Sequence, residues 1–341
     1  MIMEKILLIR FGSLGDVVLT LPVVEAVRRS FPNAYIAMLV SDKCADIVSA
    51  DPRFNEIITF RRSAKGKEGL AEMHRIIYLL RERKFDVSID MQRKFRSAYL
   101  AYKGKIKTRI GYHQPFGFLC NIKIPDKVNK HSVDRNLDLI KPLGIDSAER
   151  VPKIYLSDED RDFAKNIFDS YGITSNDKVL GIFPGAGWRP RCWLPERFAK
   201  IADLAMNIEN AKVIVFCGPD ESDIVDEVVK NMDNKPFVMK EKVTQRQLAS
   251  MIEKVDVMLS NDTGPMHISV GVGTTTVALF GPGNYIKFQP IGEKHAIIRK
   301  DVPCSPCKQF TDKCKDNICM KSITVDEVWE VVQQRLKTIA L

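Results

Sequence analysis

The stretch Lys5-Ile-Leu-Leu-Ile-Arg-Phe-Gly-Ser-Leu-Gly-Asp16 decides the fold. Lys5–Arg10 is an apolar run without alternation, which reads as a strand buried on both faces at the centre of a parallel sheet. Gly12 and Gly15 follow at once, so the chain can turn tightly at the strand's carboxyl end and approach a ligand closely. Asp16 then stands at that end, either as a cap on the next helix or as a chemical group. The spacing is neither Gly-x-Gly-x-x-Gly nor a Walker loop, which gives little support to a dinucleotide or P-loop site.

Outward from this stretch, strands and helices alternate. Residues 22–30 read as a helix with proline near its start. Strands follow at 35–40 and 57–60, a helix at 68–83 and a strand at 87–90. Regularity weakens between Gly111 and Pro152, where a helix is expected at 132–143, and residues 158–171 read as a linker helix ended by Gly172. The alternation then restarts: strands at 179–183, 212–217, 257–260 and 276–280, and helices at 195–208, 221–232 and 245–254. The pattern predicts an α/β protein of two Rossmann-like domains, 1–155 and 156–341, facing each other across a cleft, with the last helix free to pack back on the first domain. In such sheets ligands bind beyond the carboxyl ends of the strands.

With 341 residues, 45% hydrophobic and 28% charged, the chain has the composition of an ordinary globular protein of two domains. No apolar run reaches the roughly 20 residues of a membrane span, and the amino-terminal segment reads as a buried strand, so a cytoplasmic protein is expected. The net charge of +9 is uneven. Residues 1–150 hold 27 Lys/Arg against 17 Asp/Glu, and 61–109 alone hold 15 against 5. Such a stretch is either a solvated face or a landing surface for something anionic. No zinc-finger, RRM or KH signature accompanies it, which argues against nucleic acid.

Three further segments could carry chemistry. The loop Phe183-Pro-Gly-Ala-Gly-Trp-Arg-Pro-Arg-Cys-Trp-Leu-Pro-Glu-Arg197 follows the first strand of the second half. Its Gly185 and Gly187 expose backbone N–H groups, and Arg189 and Arg191 add positive charge for phosphate oxygens. The segment Ser260-Asn-Asp-Thr-Gly-Pro-Met-His267 precedes a helix, so Thr263 and Gly264 can seat a diphosphate at a helix amino terminus. Asp262 is awkward beside phosphates and is better suited to orienting the loop or a cation. His267 sits alone on that helix, a setting more often structural than catalytic. Cys304, Cys307, Cys314 and Cys319 are spaced C-x₂-C-x₆-C-x₄-C. A structural zinc, free thiols in a loop and a redox pair are the alternatives; the missing long spacer counts against zinc.

Taken together, these segments resemble the ADP-heptose:lipopolysaccharide heptosyltransferase family, glycosyltransferase family 9. The resemblance runs through Arg10 to Pro22, Arg109-Ile-Gly-Tyr112, His131-Ser-Val-Asp-Arg-Asn136, the Pro-Gly-Ala loop with Trp193-Leu-Pro-Glu-Arg-Phe198, and Ser260 to His267. Ala278-Leu-Phe-Gly-Pro282 and the cysteine tail complete it, in order along nearly the whole chain. It implies a GT-B fold and an inverting, metal-independent glycosyltransferase that moves a heptose from ADP-heptose to a lipopolysaccharide inner core. The alternatives are another nucleotide sugar or a non-catalytic nucleotide-sugar-binding protein. Asp16 is then the general base, with Ser13, Gly15 and Arg93 on the acceptor side. Gly185, Ala186, Arg191, Glu221, Asp262, Thr263, Gly264 and His267 form the donor side. The family's Lys-Arg pair before the tryptophan is Arg191-Cys192 here. No cofactor is implied. The implied partners are the ADP-sugar, an acidic phosphorylated glycolipid and, peripherally, the cytoplasmic face of the inner membrane.

Overall fold

A computed structural model describes residues 4–127, 129–307, 314 and 316–338. The chain divides into two compact units, 1–155 and 156–341. The first contains β1 (Lys5–Arg10), α1 (Leu14–Val18), α2 (Leu21–Ser30), β2 (Tyr35–Ser41), β3 (Glu56–Phe60), α3 (Gly66–Arg83), β4 (Val87–Asp90), α4 (Phe95–Lys103), β5 (Thr108–Tyr112), β6 (Ile122–Ile124) and α5 (Ser132–Asp138). Its sheet has the order β3-β2-β1-β4-β5-β6, and every pair is parallel. Ile6 to Ile9 are fully buried, as a central strand covered on both faces requires. Leu7, Ile9, Leu39, Ile76, Leu80 and Leu100 form the core under α3 and α4.

The second unit contains α6 (Asp158–Ser170), β7 (Val179–Phe183), α7 (Pro195–Glu209), β8 (Lys212–Phe216), α8 (Ser222–Lys230), β9 (Phe237–Met239), α9 (Gln245–Glu253), β10 (Val257–Asn261), α10 (Gly264–Gly271), β11 (Thr275–Phe280), α11 (Tyr285–Phe288), β12 (Ala296–Arg299), α12 (Ile318–Lys321) and α13 (Val325–Thr338). The order is β12-β11-β10-β7-β8-β9, again all parallel. α6 packs on α9, and α13 on α7 and on β10 to β12. Among the described residues no helix is long and apolar enough to cross a membrane.

In each sheet the strand order reverses once beside the first strand, between β1 and β4 and between β7 and β10. Loops leaving the carboxyl ends of two such strands diverge to opposite faces and open a crevice. The Gly12–Asp16 turn and residues 91–93 flank the first crevice; residues 184–192 and 262–264 flank the second.

Two of the expected helices differ from the sequence reading. The helix expected over 132–143 stops at Asp138, and a separate 3-10 turn, Lys141–Leu143, follows. Pro142 explains the break, because it has no N–H to continue an α-helical ladder. Residues 158–171, expected as a linker helix at the start of the second domain, form α6, which packs on α9 within the second unit.

Candidate active site

In the first unit the site is built around Asp16. Ser13 leads into α1, and the Asp16 carboxylate accepts both the Ser13 N–H and the Ser13 hydroxyl at 3.0 Å. The helix-capping role is therefore real. The other carboxylate oxygen pairs with Arg10 Nη2 at 2.7 Å. Gly12 makes this geometry possible: a Cβ there would lie 2.5 Å from the Asp16 Cβ and Oδ2, closer than any side chain tolerates. Burial pushes the Asp16 carboxyl up, but the Arg10 charge and the Ser13 hydrogen bonds outweigh it and hold it below the usual aspartate value. Asp16 is thus an ionised, partly exposed carboxylate at the mouth of the crevice.

Arg10 also donates to the Met91 carbonyl, tying the end of β1 to the end of β4. The Phe11 N–H donates to Gln92 Oε1 at 2.7 Å, and the Gln92 N–H to Asp90 Oδ1 at 2.8 Å. Asp90 is fully enclosed, and burial raises it to about 6 against the hydrogen bonds from Ser97 and Gln92 and the Arg10 charge. Next along the chain Arg93 has φ +62°, a left-handed conformation that costs a non-glycine residue about 1–2 kcal/mol. Its guanidinium pairs with Asp126, which also holds Arg135, and both arginines lie over the Tyr112 ring. The Tyr112 hydroxyl meets Asn136 Oδ1 at 3.1 Å, and Asn136 Nδ2 donates to the Leu19 carbonyl at 3.1 Å. The segments around 109–112 and 131–136, far apart in sequence, thus converge beside the Gly12–Asp16 turn and gather cationic charge there. Ser13 is exposed; Gly15 is buried within α1 and contributes no side chain.

In the second unit the residues expected on the donor side fall into two groups. Gly185, Ala186 and Glu221 line a cavity of about 290 Å³ together with Gly187, Arg189, Cys192 and Asp223. The Glu221 carboxylate packs so closely on Gly185 and Gly218 that an added Cβ would lie 2.0 and 2.2 Å from its Oε2. That oxygen is buried and has no hydrogen-bond partner. Burial raises Glu221 above the usual glutamate value, with the Arg189 charge opposing.

The second group surrounds the start of α10. Arg191 Nε lies 3.5 Å from Asp262 Oδ2, and Arg191 Nη1 donates to the Asp262 carbonyl at 3.3 Å. Neither Arg191 Nε nor Asp262 Oδ2 makes a hydrogen bond. Burial lifts Asp262 to about 6, with Arg191 opposing. Asp262 thus faces the Arg191 guanidinium. Thr263 precedes α10 without a side-chain cap, so the first-turn N–H groups are not claimed by its hydroxyl. His267 is buried one turn further on, its ring roughly perpendicular to that of Phe288 with centroids 6.5 Å apart. The two groups are joined through Trp193, whose N–H donates to Asn261 Oδ1 at 3.0 Å while Asn261 Nδ2 donates to the Pro184 carbonyl at 2.7 Å.

The sequence offered Arg189 and Arg191 alike as charge for phosphate, and only Arg191 entered the donor-side set that the resemblance implies; Arg189 faces the Glu221 cavity and pairs with Asp223. Sequence reasoning missed Arg10, whose signal was present: an arginine ending an otherwise apolar strand just before an acidic loop. All eight cysteines are free; Cys304 and Cys314 are exposed, Cys307 half-buried and Cys319 buried. Among the described residues no three His, Cys, Asp or Glu side chains gather to hold a metal ion.

The sequence model of "Glycosyltransferase family 9 (heptosyltransferase)" matches residues 73–317, so the Asp16 turn lies ahead of the matched part. The chain is 26% identical over 285 residues to lipopolysaccharide heptosyltransferase 3 of Escherichia coli, covering 81% of this chain and 83% of that protein. It is 26% identical over 330 residues to lipooligosaccharide heptosyltransferase 2 of Campylobacter jejuni, covering 94% and 96%. Among solved structures it resembles a glycosyl transferase family 9 protein from Veillonella parvula, with a TM-score of 0.87, 24% identity and 99% of each chain covered. It also resembles the ADP-heptose lps heptosyltransferase II of E. coli, with a TM-score of 0.81, 19% identity and 99% and 100% covered. These likenesses assign the fold to the GT-B class.

Proposed function

The chain belongs to glycosyltransferase family 9, the heptosyltransferase family, and on that premise we propose that it moves a heptose from ADP-heptose to a lipopolysaccharide inner-core acceptor, with inversion at the anomeric carbon. The observation that carries this reading is the meeting of Arg191 with Asp262, just ahead of the start of α10, at the carboxyl ends of β7 and β10. A leaving diphosphate gains negative charge as the sugar bond breaks, and a fixed guanidinium beside helix N–H groups that the N-cap side chain does not occupy is what stabilises such charge. The reading therefore requires no metal. Glu221, with its unpartnered oxygen in the neighbouring cavity, is suited to accept a hydrogen bond from the nucleoside.

On the acceptor side, Asp16 takes the proton of the attacking hydroxyl. A carboxylate held below its usual value is a weak base, so proton transfer accompanies bond formation rather than preceding it. The Arg93–Asp126–Arg135 group offers cationic charge to an acidic, phosphorylated acceptor. Its lipid would place the enzyme peripherally at the cytoplasmic face of the inner membrane. The test is to incubate the protein with ADP-heptose and with other nucleotide sugars, plus a truncated core glycolipid, and to measure transfer. Transfer from a non-heptose donor alone would overturn the choice of sugar; transfer from none would overturn the reading.

The Arg10 pair gives this mechanism a pH signature. A base must be ionised, so kcat/KM falls as pH drops through the Asp16 value, which Arg10 holds low. In Arg10→Met burial acts without that opposing charge, the carboxyl rises, and the acid limb of the pH–rate profile is expected to move to higher pH. A profile that keeps its acid limb in place would show that another group titrates there.

A further inference from the structure

From residue 91 to residue 125 the chain contains no acidic residue, eight Lys or Arg and six aromatic residues. The structure places the exposed part of this stretch on one surface, formed by the outer face of α4 and the 3-10 turn Gly117–Leu119 that packs against it. Phe95, Tyr102 and Phe118 are 49%, 48% and 71% exposed, large values for such rings. Two of them are held in position: Phe95 stacks on Tyr99 at 5.5 Å and meets Phe116 edge-on at 6.1 Å, while Arg109 lies over Tyr102 at 5.5 Å. Lys103 flanks both tyrosines, and Lys105 and Lys107 continue the surface, all three exposed. Arg61 and Arg75 share Glu72, and Arg83 pairs with Glu56, whereas residues 91–125 supply no carboxylate of their own to offset the lysines of this face.

We propose that this face is a docking surface for an anionic lipid bilayer, onto which the three lysines bring the protein and into whose headgroup layer Phe95, Tyr102 and Phe118 dip. Charge complementarity selects the partner. A bilayer rich in anionic lipid attracts unpaired lysines, and aromatic rings flanked by cations settle at the water–hydrocarbon boundary. A single-stranded nucleic acid stacks its bases on ring faces, and here one face of Phe95 is taken by Tyr99 and one of Tyr102 by Arg109, which leaves less area for stacking than for insertion among headgroups. The surface also reaches the acceptor half of the site. Arg96, on the first turn of α4, lies over Phe60 at 5.6 Å, and Phe60 stacks on Phe11 at 4.9 Å, just before the Gly12–Asp16 turn. A glycolipid held in the bilayer could then present its sugars to Asp16 without leaving the membrane, an argument that rests on the acceptor class proposed above.

The test uses the full chain and vesicles of phosphatidylcholine with or without phosphatidylglycerol, and no donor or acceptor, so it can succeed where the transfer reading fails. Binding is expected on the anionic vesicles and to weaken as salt is raised. Each lysine is worth about a five-fold change in partition, so Lys103→Ala, Lys105→Ala and Lys107→Ala together should lower it by about 100-fold. Phe95→Ser with Phe118→Ser should weaken the binding that survives at high salt. Transfer to a water-soluble deacylated acceptor should be unchanged by the lysine changes. Equal partition on neutral and anionic vesicles, no partition on either, or an oligonucleotide that displaces the protein from vesicles through the same lysines would each overturn the proposal.

Discussion

Asp16→Asn is expected to lower turnover by about 10³-fold, within the range by which positioned general bases act, and to leave ADP binding unchanged. Asparagine keeps the capping geometry, since its side-chain oxygen still accepts the Ser13 N–H and hydroxyl. What it loses is the proton-accepting carboxylate and the full charge opposite Arg10. Magnitudes separate the two roles. A lost cap costs about 1 kcal/mol of stability, a shift of a few degrees in thermal midpoint, and cannot remove three orders of magnitude from a rate measured on folded enzyme. The residues proposed to hold the donor lie in the second unit, so the ADP dissociation constant measured by calorimetry should match that of the parent. A variant that keeps near-normal turnover would leave Asp16 as a cap only.

Arg191→Ala is expected to cost about 10²-fold in kcat, the scale seen when one preorganised charge donor is removed from a transition state. The side chain sits 3.5 Å from a buried aspartate whose other interactions do not include a hydrogen bond to Oδ2. Its removal therefore has two effects that a single variant confounds: the leaving diphosphate loses its cation, and Asp262 loses the charge that offsets its burial. Asp262 already stands at about 6, and without Arg191 it will rise further and protonate near neutrality. The double variant Arg191→Ala with Asp262→Asn separates the effects, because it removes the carboxylate along with its partner. If catalysis depends on Arg191, kcat stays low in the double variant while thermal stability recovers. Recovery of kcat would assign the loss to the stranded aspartate instead. Arg191→Lys should fall between parent and alanine, since a lysine supplies charge without the planar fork.

The central strands and the loops that follow them were legible because their signal is local and strong. Lys5–Arg10, Val179–Phe183 and Val257–Asn261 are continuous apolar runs ended by small or polar residues. β6 and β9 have three residues each, too few to show a period, and they lie at sheet edges where burial is incomplete. α4 was hidden for another reason: its sequence Phe-Arg-Ser-Ala-Tyr-Leu-Ala-Tyr-Lys exposes aromatic residues that a period-based reading assigns to a core. In the site, Asp16 and the Thr263-Gly264 turn could be read from motif and position. The Arg93–Asp126–Arg135 group could not, because Asp126 lies 33 residues after Arg93 and no spacing rule joins them. Nor could a sequence tell Arg189 from Arg191; two residues apart on a 3-10 turn, they point to different neighbours, Asp223 and Asp262.

Trp193 has a further consequence. Its indole N–H donates to the Ile323 carbonyl at 3.1 Å, and Arg197 donates to the same carbonyl, two residues before α13 begins. With its main-chain bond to Asn261, the tryptophan bolts the glycine loop to both the middle of the sheet and the last helix. Loops of this kind usually open at little free-energy cost, as independent flaps. Here residues 184–193 and 323–336 should open as one foldon, and native-state hydrogen exchange should give their amides matching protection. Faster exchange in the loop alone would show that the bolt does not hold. A lesion confined to the carboxyl-terminal helix would then act at a distance, loosening the nucleotide loop without touching it.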